Sequence, residues 1–221
     1  MAKYDGKDHY LDPETDVLKN KLGIWDEDEL KKAEASLLAW RSFQLAENPI
    51  KGRFDLDHLK AIHKHLFCDV YEWAGELRNI DLAKDNSYFA NHMHIVSSAR
   101  PVFEKLAEEG HLKGLDAAAF SARAAYYLGE INALHPFREG NGRAQREFIN
   151  HLAYKNGYFI EWKNINQKDM IQASIESFHQ ADNIRFAAFI RDNLRELPAS
   201  DTNKTTPLNR RRNQLEPSRS D

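Results

Sequence analysis

Twelve consecutive residues, His135 to Arg146, have the side chains and glycines of a nucleotide-phosphate site. The segment is HPFREGNGRAQR, which places an imidazole, a carboxylate, a glycine-flanked asparagine and two arginines close together along the chain. Glycine lets the backbone approach an anion closely, and the unpaired N–H groups at the start of a helix attract phosphate. The segment therefore predicts an anion site where a tight turn opens a helix.

The individual side chains suit different steps at such a site. Arg143 and Arg146 can neutralise two phosphates of one chain, because both lie in the first turns of the predicted helix. Glu139 offers a carboxylate of the kind that Mg²⁺ takes beside phosphate oxygens, and Asn141 offers a neutral hydrogen bond. His135 is suited to removing a proton from an attacking hydroxyl, since an imidazole ordinarily has a pKa of about 6.5.

Each residue also has a simpler explanation. A lone histidine before a proline is most often a capping or core residue, and Glu139 with Arg143 can form an i,i+4 ion pair worth about 0.3–0.5 kcal/mol. Neither explanation accounts for the flanking glycines or for the second arginine. We therefore favour a functional site, in which Phe137 is interpreted as a core anchor for the turn.

Helices are predicted on both sides of this turn and along most of the chain. Leu115 to Asn132 is rich in alanine and predicts a helix that Pro136 ends, while Gly142 to Gly157 has apolar residues at helical spacing and a glycine at its C-terminal cap. Further helices are predicted over Asp26 to Glu47, Asp55 to Phe67 and His94 to Glu109, with a last pair over Gln167 to Leu197. The four tryptophans are assigned to the core.

The twelve residues resemble the signature of the Fic family, His-x-Phe-x-(Asp or Glu)-Gly-Asn-(Gly or Lys)-Arg-x-x-Arg, at every position. The chain is similar to a Fic domain over residues 10–197, and Tyr71 to Arg78, YEWAGELR, resembles the segment that leads into the flap of that family. The resemblance implies an all-α Fic helical bundle with a short β-hairpin flap. Residues 1–9 are expected to form an N-terminal extension, and residues 198–221 a flexible polar tail or linker.

The resemblance also implies an activity, the transfer of AMP from ATP to a Ser, Thr or Tyr hydroxyl of a target protein with release of pyrophosphate. By position in the signature, His135 is the general base and Glu139 the Mg²⁺ ligand. The residues expected to bind the nucleotide are Gly140, Asn141, Gly142, Arg143 and Arg146. Gly142 favours AMP transfer, because family members with lysine at this position transfer phosphate instead.

Target docking is assigned by the resemblance to the flap, which in the family pairs with an extended target segment by strand addition. The flap is expected to comprise Ile80, Asp81, Leu82, Ala83, Lys84, Asp85, Asn86, Ser87, Tyr88 and Phe89. Its tip is expected near Lys84 and Asp85.

Many members of the family are inhibited by a glutamate in a (Ser or Thr)-x-x-x-Glu-(Gly or Asn) motif, which pairs with the second arginine. The nearest match is Ser42 with Glu47 and Asn48, but this glutamate comes one position too late. We therefore expect a separate small antitoxin protein to supply an inhibitory glutamate to Arg146. The alternatives are an unregulated domain or an inhibitory element elsewhere in a longer parent chain.

Composition restricts the class of protein. A chain of 221 residues with 42% hydrophobic content supports one compact domain, and a net charge of −3 provides no basic field for nucleic-acid binding. Cys68 is the only cysteine, which fits a reducing compartment, and no apolar run has the length needed to span a bilayer. The expected location is the bacterial cytoplasm, with translocation into a recipient or host cell as the alternative, and neither nucleic-acid nor membrane partners are expected.

Two other functions stay open at this point. The first is a Fic enzyme that transfers another phosphate-containing group or removes AMP, and the second is a catalytically silent module that binds nucleotide or a partner. An intact His135 argues against the second, because binding alone does not require a base. His58, His63 and His65, which precede Cys68 and Asp69, lack the paired spacing of zinc ligands and are interpreted as structural.

Overall fold

The computed structural model describes residues 8–84 and 87–197, and this part of the chain is mainly helical. Its α-helices are α1 (Glu27–Glu47), α2 (Leu56–Phe67), α3 (Ile95–Glu108), α4 (Ala117–Leu134), α5 (Asn141–Lys155), α6 (Gln167–Gln180) and α7 (Ile184–Asn193). Its strands are β1 (Ala83–Lys84), β2 (Ser87–Tyr88), β3 (Tyr158–Ile160) and β4 (Leu194–Glu196). The predicted helical bundle with a short hairpin is confirmed, and none of the described helices combines the length and apolar character needed to cross a membrane.

The pairing of β3 with β4 was not predicted. The last helix was expected to reach Leu197, but α7 ends at Asn193 and the next residues turn into β4. β4 runs antiparallel to β3, with Leu194 opposite Ile160 and Glu196 opposite Tyr158. Strands of three residues are too short to show an alternating pattern in sequence. Their conformation is therefore decided by the partner that the fold brings alongside.

Helix α4 lies at the centre of the bundle and packs against α3, α5, α6 and α7. Its alanine-rich sequence allows close approach, and a Cβ added at Gly129 would lie 2.6 Å from the Ser177 Oγ. Asp116 caps the helix by accepting a hydrogen bond of 2.8 Å from the Ala119 N–H. The packing of α4 thus fixes its C-terminal end and the position of the residues that follow it.

The tryptophans are not all core residues, contrary to the prediction. Trp73 and Trp162 pack partly buried against the core, whereas Trp25 is 48% and Trp40 is 57% exposed. Helix α1 packs on α2, and only Leu30, Glu34 and Leu45 are buried along its length. The buried face of α1 is therefore narrow, and Trp40 lies outside it at the surface. Phe137, by contrast, is fully buried as predicted.

Two buried histidines, His58 and His151, face each other between α2 and α5. The His151 Nδ1 lies 3.3 Å from the His58 Nε2, which also lies 3.0 Å from the carbonyl oxygen of Ile50. Burial lowers the pKa of both residues, that of His151 to about 4, and the proximity of His58 lowers it further. Both rings are therefore neutral at neutral pH.

We expect this arrangement to make the fold sensitive to acid. Because the folded-state pKa of His151 lies below its ordinary value of 6.5, the stability it contributes is fully present above pH 6.5 and is lost as the pH falls toward about 4. In this window each such histidine reduces the free energy of unfolding by at most about 1.4 kcal/mol per pH unit. Thermal unfolding of the wild type and of His151→Gln from about pH 8 to about pH 4.5 should show a steeper loss of Tm in the wild type.

The comparison between the wild type and His151→Gln also cancels the opposing contribution of Glu147 to the pH dependence of stability. Burial raises the pKa of Glu147 to about 7, which favours the folded state as the pH falls, but Glu147 is present in both proteins. Parallel curves for the wild type and His151→Gln would contradict the prediction.

Candidate active site

His135 occupies the turn directly after α4. Its backbone is left-handed, with φ 44° and ψ 59°, a conformation that costs a non-glycine residue about 1 kcal/mol. Its carbonyl oxygen accepts a hydrogen bond of 2.8 Å from the Arg78 Nε. The Phe89 ring stacks on the imidazole with 3.8 Å between ring centroids and 17° between planes. The histidine is thus held through both its backbone and its ring.

Arg78 organises the site and was not identified from the sequence. Its side chain is fully buried, and its guanidinium donates to four backbone carbonyls, those of Ile80 (2.7 Å), His135 (2.8 Å), Leu134 (3.3 Å) and Ala90. Two of these carbonyls belong to the end of α4, where the helix dipole is negative, and the other two flank the β1–β2 hairpin. Arg78 therefore ties the end of α4 to both roots of the hairpin.

The glycine turn leads directly into the start of α5. Gly140 has φ +77°, and a Cβ there would lie 2.3 Å from the Phe67 ring, so no larger residue fits. The Gly140 N–H donates to the Glu139 carboxylate at 2.7 Å. The N–H groups of Asn141 and Gly142 have no hydrogen-bond acceptor within the described part of the chain. Unpaired N–H groups at the start of a helix can bind an anion, and the binding of nucleotide phosphate here stays a prediction.

The side chain of Asn141 is used inside the turn. Its Oδ1 accepts a hydrogen bond of 2.9 Å from the Phe137 N–H, and its Nδ2 donates to the Phe137 carbonyl at 2.7 Å. The side-chain amide of Asn141 thus closes the turn, while its second N–H donor is left for another acceptor, so the expected hydrogen bond to phosphate stays a prediction. The backbone N–H of Asn141 has no acceptor among the described residues.

The two arginines of the site differ in their surroundings. Arg143 is bonded through Nη1 to Glu34 and through Nη2 to Glu139 at 3.1 Å, and its guanidinium lies 4.8 Å from the centre of the Phe67 ring. Arg146 is half-buried and forms no hydrogen bond or ion pair with any described residue. Burial and the charge of Arg143 lower the pKa of Arg146, although a guanidinium stays charged. Arg146 is therefore the cation that most needs an anionic partner.

Glu139 suits a metal ion that arrives with phosphate. Its side chain is 44% exposed, and its backbone carbonyl is 3.0 Å from the His63 Nε2. The Gly75 N–H donates to the His63 Nδ1 at 2.8 Å, so His63 is neutral and carries its proton on Nε2. Among the described residues no group of three or more His, Cys, Asp or Glu could hold a metal. The single carboxylate fits Mg²⁺ that keeps most of its ligands from phosphate and water.

The predicted flap contains the β1–β2 hairpin. Its strands pair antiparallel, with Ala83 opposite Tyr88. Two of the expected flap residues, Asp85 and Asn86, lie outside the described residues. Tyr88 is 80% exposed, and Met93 in the turn that follows is 72% exposed. A hairpin is therefore present where the flap was expected, and its pairing with a target stays a prediction.

Several side chains of the predicted flap pack against the domain. Ile80 and Leu82 are 3% and 5% exposed and pack with Tyr10 in a small cluster. Phe89 is covered by the ring of His135 on one side and lies against Phe178. These three side chains anchor the hairpin to the domain, and docking of a target by strand addition to the backbone of the hairpin stays a prediction.

Asp8, which belongs to the predicted N-terminal extension, contacts the glycine turn. Asp8 forms an ion pair with Arg138 in the glycine turn, with its Oδ2 at 2.8 Å from both Nε and Nη2, and the two side chains are only 9% and 12% exposed. The Tyr10 hydroxyl donates to the Asn79 side chain at 3.0 Å. Asp8 thus packs against the domain, and the domain boundaries stay a prediction. Residues 198–221 lie outside the described part of the chain.

Comparisons with known sequences show which proteins the chain resembles. The model of the Fic/DOC family matches residues 53–153. The chain is 53% identical over 197 residues to protein adenylyltransferase VbhT from Bartonella schoenbuchensis, which covers 89% of this chain and 41% of that protein. It is 37% identical over 171 residues to the probable protein adenylyltransferase Fic from Escherichia coli, which covers 77% of this chain and 84% of that protein. The chain thus spans less than half the length of VbhT.

Solved structures share the fold. The crystal structure of BepC, a VirB-translocated effector from Bartonella tribocorum with bound AMPPNP, matches with a TM-score of 0.80 and 27% identity, over 86% of this chain and 97% of that one. The N-terminal Fic domain of a Bep effector from Bartonella quintana with bound ADP matches with a TM-score of 0.80 and 28% identity, over 86% and 96%. Both structures contain an adenine nucleotide.

Proposed function

Because the chain belongs to the Fic/DOC family, we propose that it is a protein adenylyltransferase that moves AMP from ATP to a Ser, Thr or Tyr hydroxyl of a target protein. The observation that carries the proposal is Arg146, a half-buried guanidinium without a partner among the described residues, beside the open N–H groups of Asn141 and Gly142. Two curated relatives are themselves named protein adenylyltransferases. In this proposal Arg146 is the cation, the N–H groups of Asn141 and Gly142 form the anion hole, and His135 is the base.

In the proposed reaction the target hydroxyl attacks the α-phosphorus of ATP. A bond forms between the hydroxyl oxygen and this phosphorus, the bond to the bridging oxygen of the β-phosphate breaks, and pyrophosphate leaves. The proton of the hydroxyl passes to the imidazole of His135, a contribution of about 10²–10⁴-fold in rate. Since His135 is held by Arg78 and Phe89, its ring is already oriented before substrates bind.

Arg143, Arg146 and the N–H groups of the glycine turn hold the phosphates in this proposal. Their positive charge and the dipole of α5 stabilise the charge that develops on the oxygens of the leaving group. Mg²⁺ that arrives with ATP supplies further neutralisation of the phosphates. Glu139 can offer one carboxylate to that ion, because its side chain is 44% exposed.

We propose that the target segment pairs with an edge of the β1–β2 hairpin. A two-stranded hairpin keeps unpaired backbone groups on its outer edges, to which an extended peptide can add. Phe89, directly after β2, stacks on His135. A hydroxyl on a segment paired with the hairpin is therefore carried close to the base.

We propose that a separate antitoxin chain regulates the enzyme by placing a glutamate on Arg146. Among the described residues no carboxylate pairs with Arg146, and the buried acid of α1, Glu34, pairs with Arg143 instead. A carboxylate on Arg146 would take the position of a phosphate and exclude ATP. We place the protein in the bacterial cytoplasm, and the VirB-translocated relatives make delivery into another cell the alternative.

The proposal is tested by the position of the transferred label. Purified protein with Mg²⁺ is incubated in bacterial and animal lysates with ATP labelled in either the α- or the γ-phosphate. We expect proteins to be labelled from the α-phosphate only. Labelling from the γ-phosphate would indicate phosphate transfer, and ATP binding without any labelling would indicate a nucleotide-binding module.

Arg146→Ala should reduce kcat/KM for ATP by about 10- to 100-fold, because hydrogen bonds to charged groups contribute about 1.5–3 kcal/mol. The measurement is initial-rate labelling over a range of ATP concentrations. Arg185→Ala is the matched control, because Arg185 forms an ion pair with Glu176 that bridges α6 and α7. Equal kcat/KM in Arg146→Ala and the wild type would remove Arg146 from the phosphate site.

A further inference from the structure

A buried glutamate lies behind the first arginine of the site. Glu34 of α1 is 7% exposed and lies outside residues 53–153, the part that the family model matches. Its Oε1 accepts a hydrogen bond from the Arg143 Nη1, and its Oε2 accepts one of 2.5 Å from the Tyr71 hydroxyl. A carboxylate is buried at acceptable cost only when such donors are present. Glu34 is thus held by two donors from different segments of the chain.

Tyr71 makes this arrangement rigid. Tyr71 is 2% exposed, and its ring stacks on the Trp73 ring with 4.3 Å between centroids. Burial and the negative charge of Glu34 raise the pKa of Tyr71, so that its hydroxyl stays protonated and can donate to the carboxylate. The carboxylate of Glu34 therefore has a defined position and cannot turn away to solvent.

Arg143 is held on its buried side by Glu34 and Phe67. Glu34 takes Nη1 and the Phe67 ring lies against the face of the guanidinium, whereas the remaining partner, Glu139 on Nη2, has a side chain that is 44% exposed. A guanidinium has five donors in a planar fork, so one edge can be held while another binds phosphate. An incoming phosphate can replace the exposed carboxylate but not the buried one.

We propose that Glu34 is a positioning residue, which holds Arg143 at the start of α5 so that its Nη2 edge faces the phosphates of the nucleotide. The inference rests on the proposed function in one respect, that the anion bound at this site is ATP. Glu34 touches neither substrate and acts through Arg143. Its loss should free the long side chain of Arg143, which then loses conformational entropy on binding phosphate.

The test is the affinity for ATP, measured by equilibrium titration of the protein with ATP and Mg²⁺. Glu34→Ala should weaken ATP binding by about 10- to 100-fold, the size expected when a charge-assisted contact no longer orders its partner. Glu34→Gln should lose less, because its amide oxygen can still accept from Arg143, and Tyr71→Phe should lose least. KM for ATP should rise in Glu34→Ala with a smaller change in kcat, since the phosphate contact exists before and during the reaction.

Two controls separate positioning from general stability. Glu109→Ala breaks a comparable ion pair between Glu109 and Arg123, in which the two atoms are 2.5 Å apart and both side chains are about one-third exposed. This pair shares no contact with the site. The change should therefore lower Tm without changing ATP affinity. In an Arg143→Ala background, Glu34→Ala should cause no further loss of affinity, because the two residues act as one unit. A loss of structure would instead weaken binding in both backgrounds.

Unchanged affinity in Glu34→Ala would overturn the proposal, and so would tighter binding, which would show that Glu34 competes with phosphate for Arg143. If Glu34→Ala does not fold, the ATP affinities of Glu34→Gln and Tyr71→Phe are compared with that of the wild type instead. Unchanged or tighter binding in both variants would then overturn the proposal. Because ATP binding is measured directly, the result does not depend on AMP transfer. A protein that binds ATP but labels no target would reject the proposed function and leave the result on Glu34 standing, whereas a wild type that does not bind ATP would reject both.

Discussion

Replacing His135 with alanine is expected to reduce AMP transfer by about 10²–10⁴-fold, the usual contribution of a general base. Alanine has no group that can take the proton of the target hydroxyl. The groups proposed to hold the phosphates belong to the glycine turn and α5, not to His135, so ATP affinity should stay close to that of the wild type. The rate is measured in single turnovers with α-labelled ATP, and the affinity by equilibrium titration.

A second histidine provides the matched control for this change. His111 also has a left-handed backbone, with φ 56°, and its Nε2 lies 3.1 Å from the Arg53 carbonyl, away from the site. His111→Ala therefore places alanine in the same strained conformation without removing the proposed base. It should leave the transfer rate unchanged. Undiminished transfer in His135→Ala would show that another group accepts the proton.

Arg78→Met is expected to lower the free energy of unfolding by about 3–5 kcal/mol, the largest stability effect that we predict. Methionine keeps an apolar stem of similar length but donates no hydrogen bond, which leaves the buried carbonyls of Ile80 and Leu134 without the donor they have in the native protein. Urea unfolding followed by circular dichroism measures the loss, and the midpoint should fall with little change in slope.

Arg78→Lys should be intermediate, because it keeps the charge but reaches fewer carbonyls than the planar guanidinium. Arg191→Met is the control for loss of an arginine at the surface, where Arg191 pairs with its exposed neighbour Asp192. This change should alter the free energy of unfolding by less than about 0.5 kcal/mol. An Arg78→Met protein as stable as the wild type would mean that water satisfies these carbonyls. Any folded Arg78→Met protein should also transfer AMP more slowly, since Arg78 joins His135 to the hairpin.

The helices and the glycine turn could be predicted because their signals are local. Pro136 ends a helix, and Gly157 has the positive φ that suits a C-terminal cap, whatever else the chain does. Gly140 likewise favours a turn with positive φ inside the segment from His135 to Arg146. Such preferences act over a few residues, so the order and approximate ends of α1 to α6 could be stated before any contact was known.

Other features depend on residues that are far apart along the chain. Arg78 and His135 are separated by 57 positions, and Glu34 and Arg143 by 109. No spacing rule joins such pairs, and a lone glutamate in an amphipathic helix is usually solvated. The same limit explains β4, which is a strand only because β3 lies beside it, and Trp40, which is exposed only because α2 covers a narrow face of α1.

The sequence by itself determined the chemical parts of the protein: a base, a carboxylate, two arginines and a glycine turn, in an order that resembles one family. Only the tertiary structure decided which of these groups already have partners. It closes the turn with Asn141, holds Arg143 with Glu34, and leaves Arg146 without a partner among the described residues. The physical reason is that backbone preference is set by near neighbours, whereas the satisfaction of a buried polar group depends on atoms that only folding brings within hydrogen-bond distance.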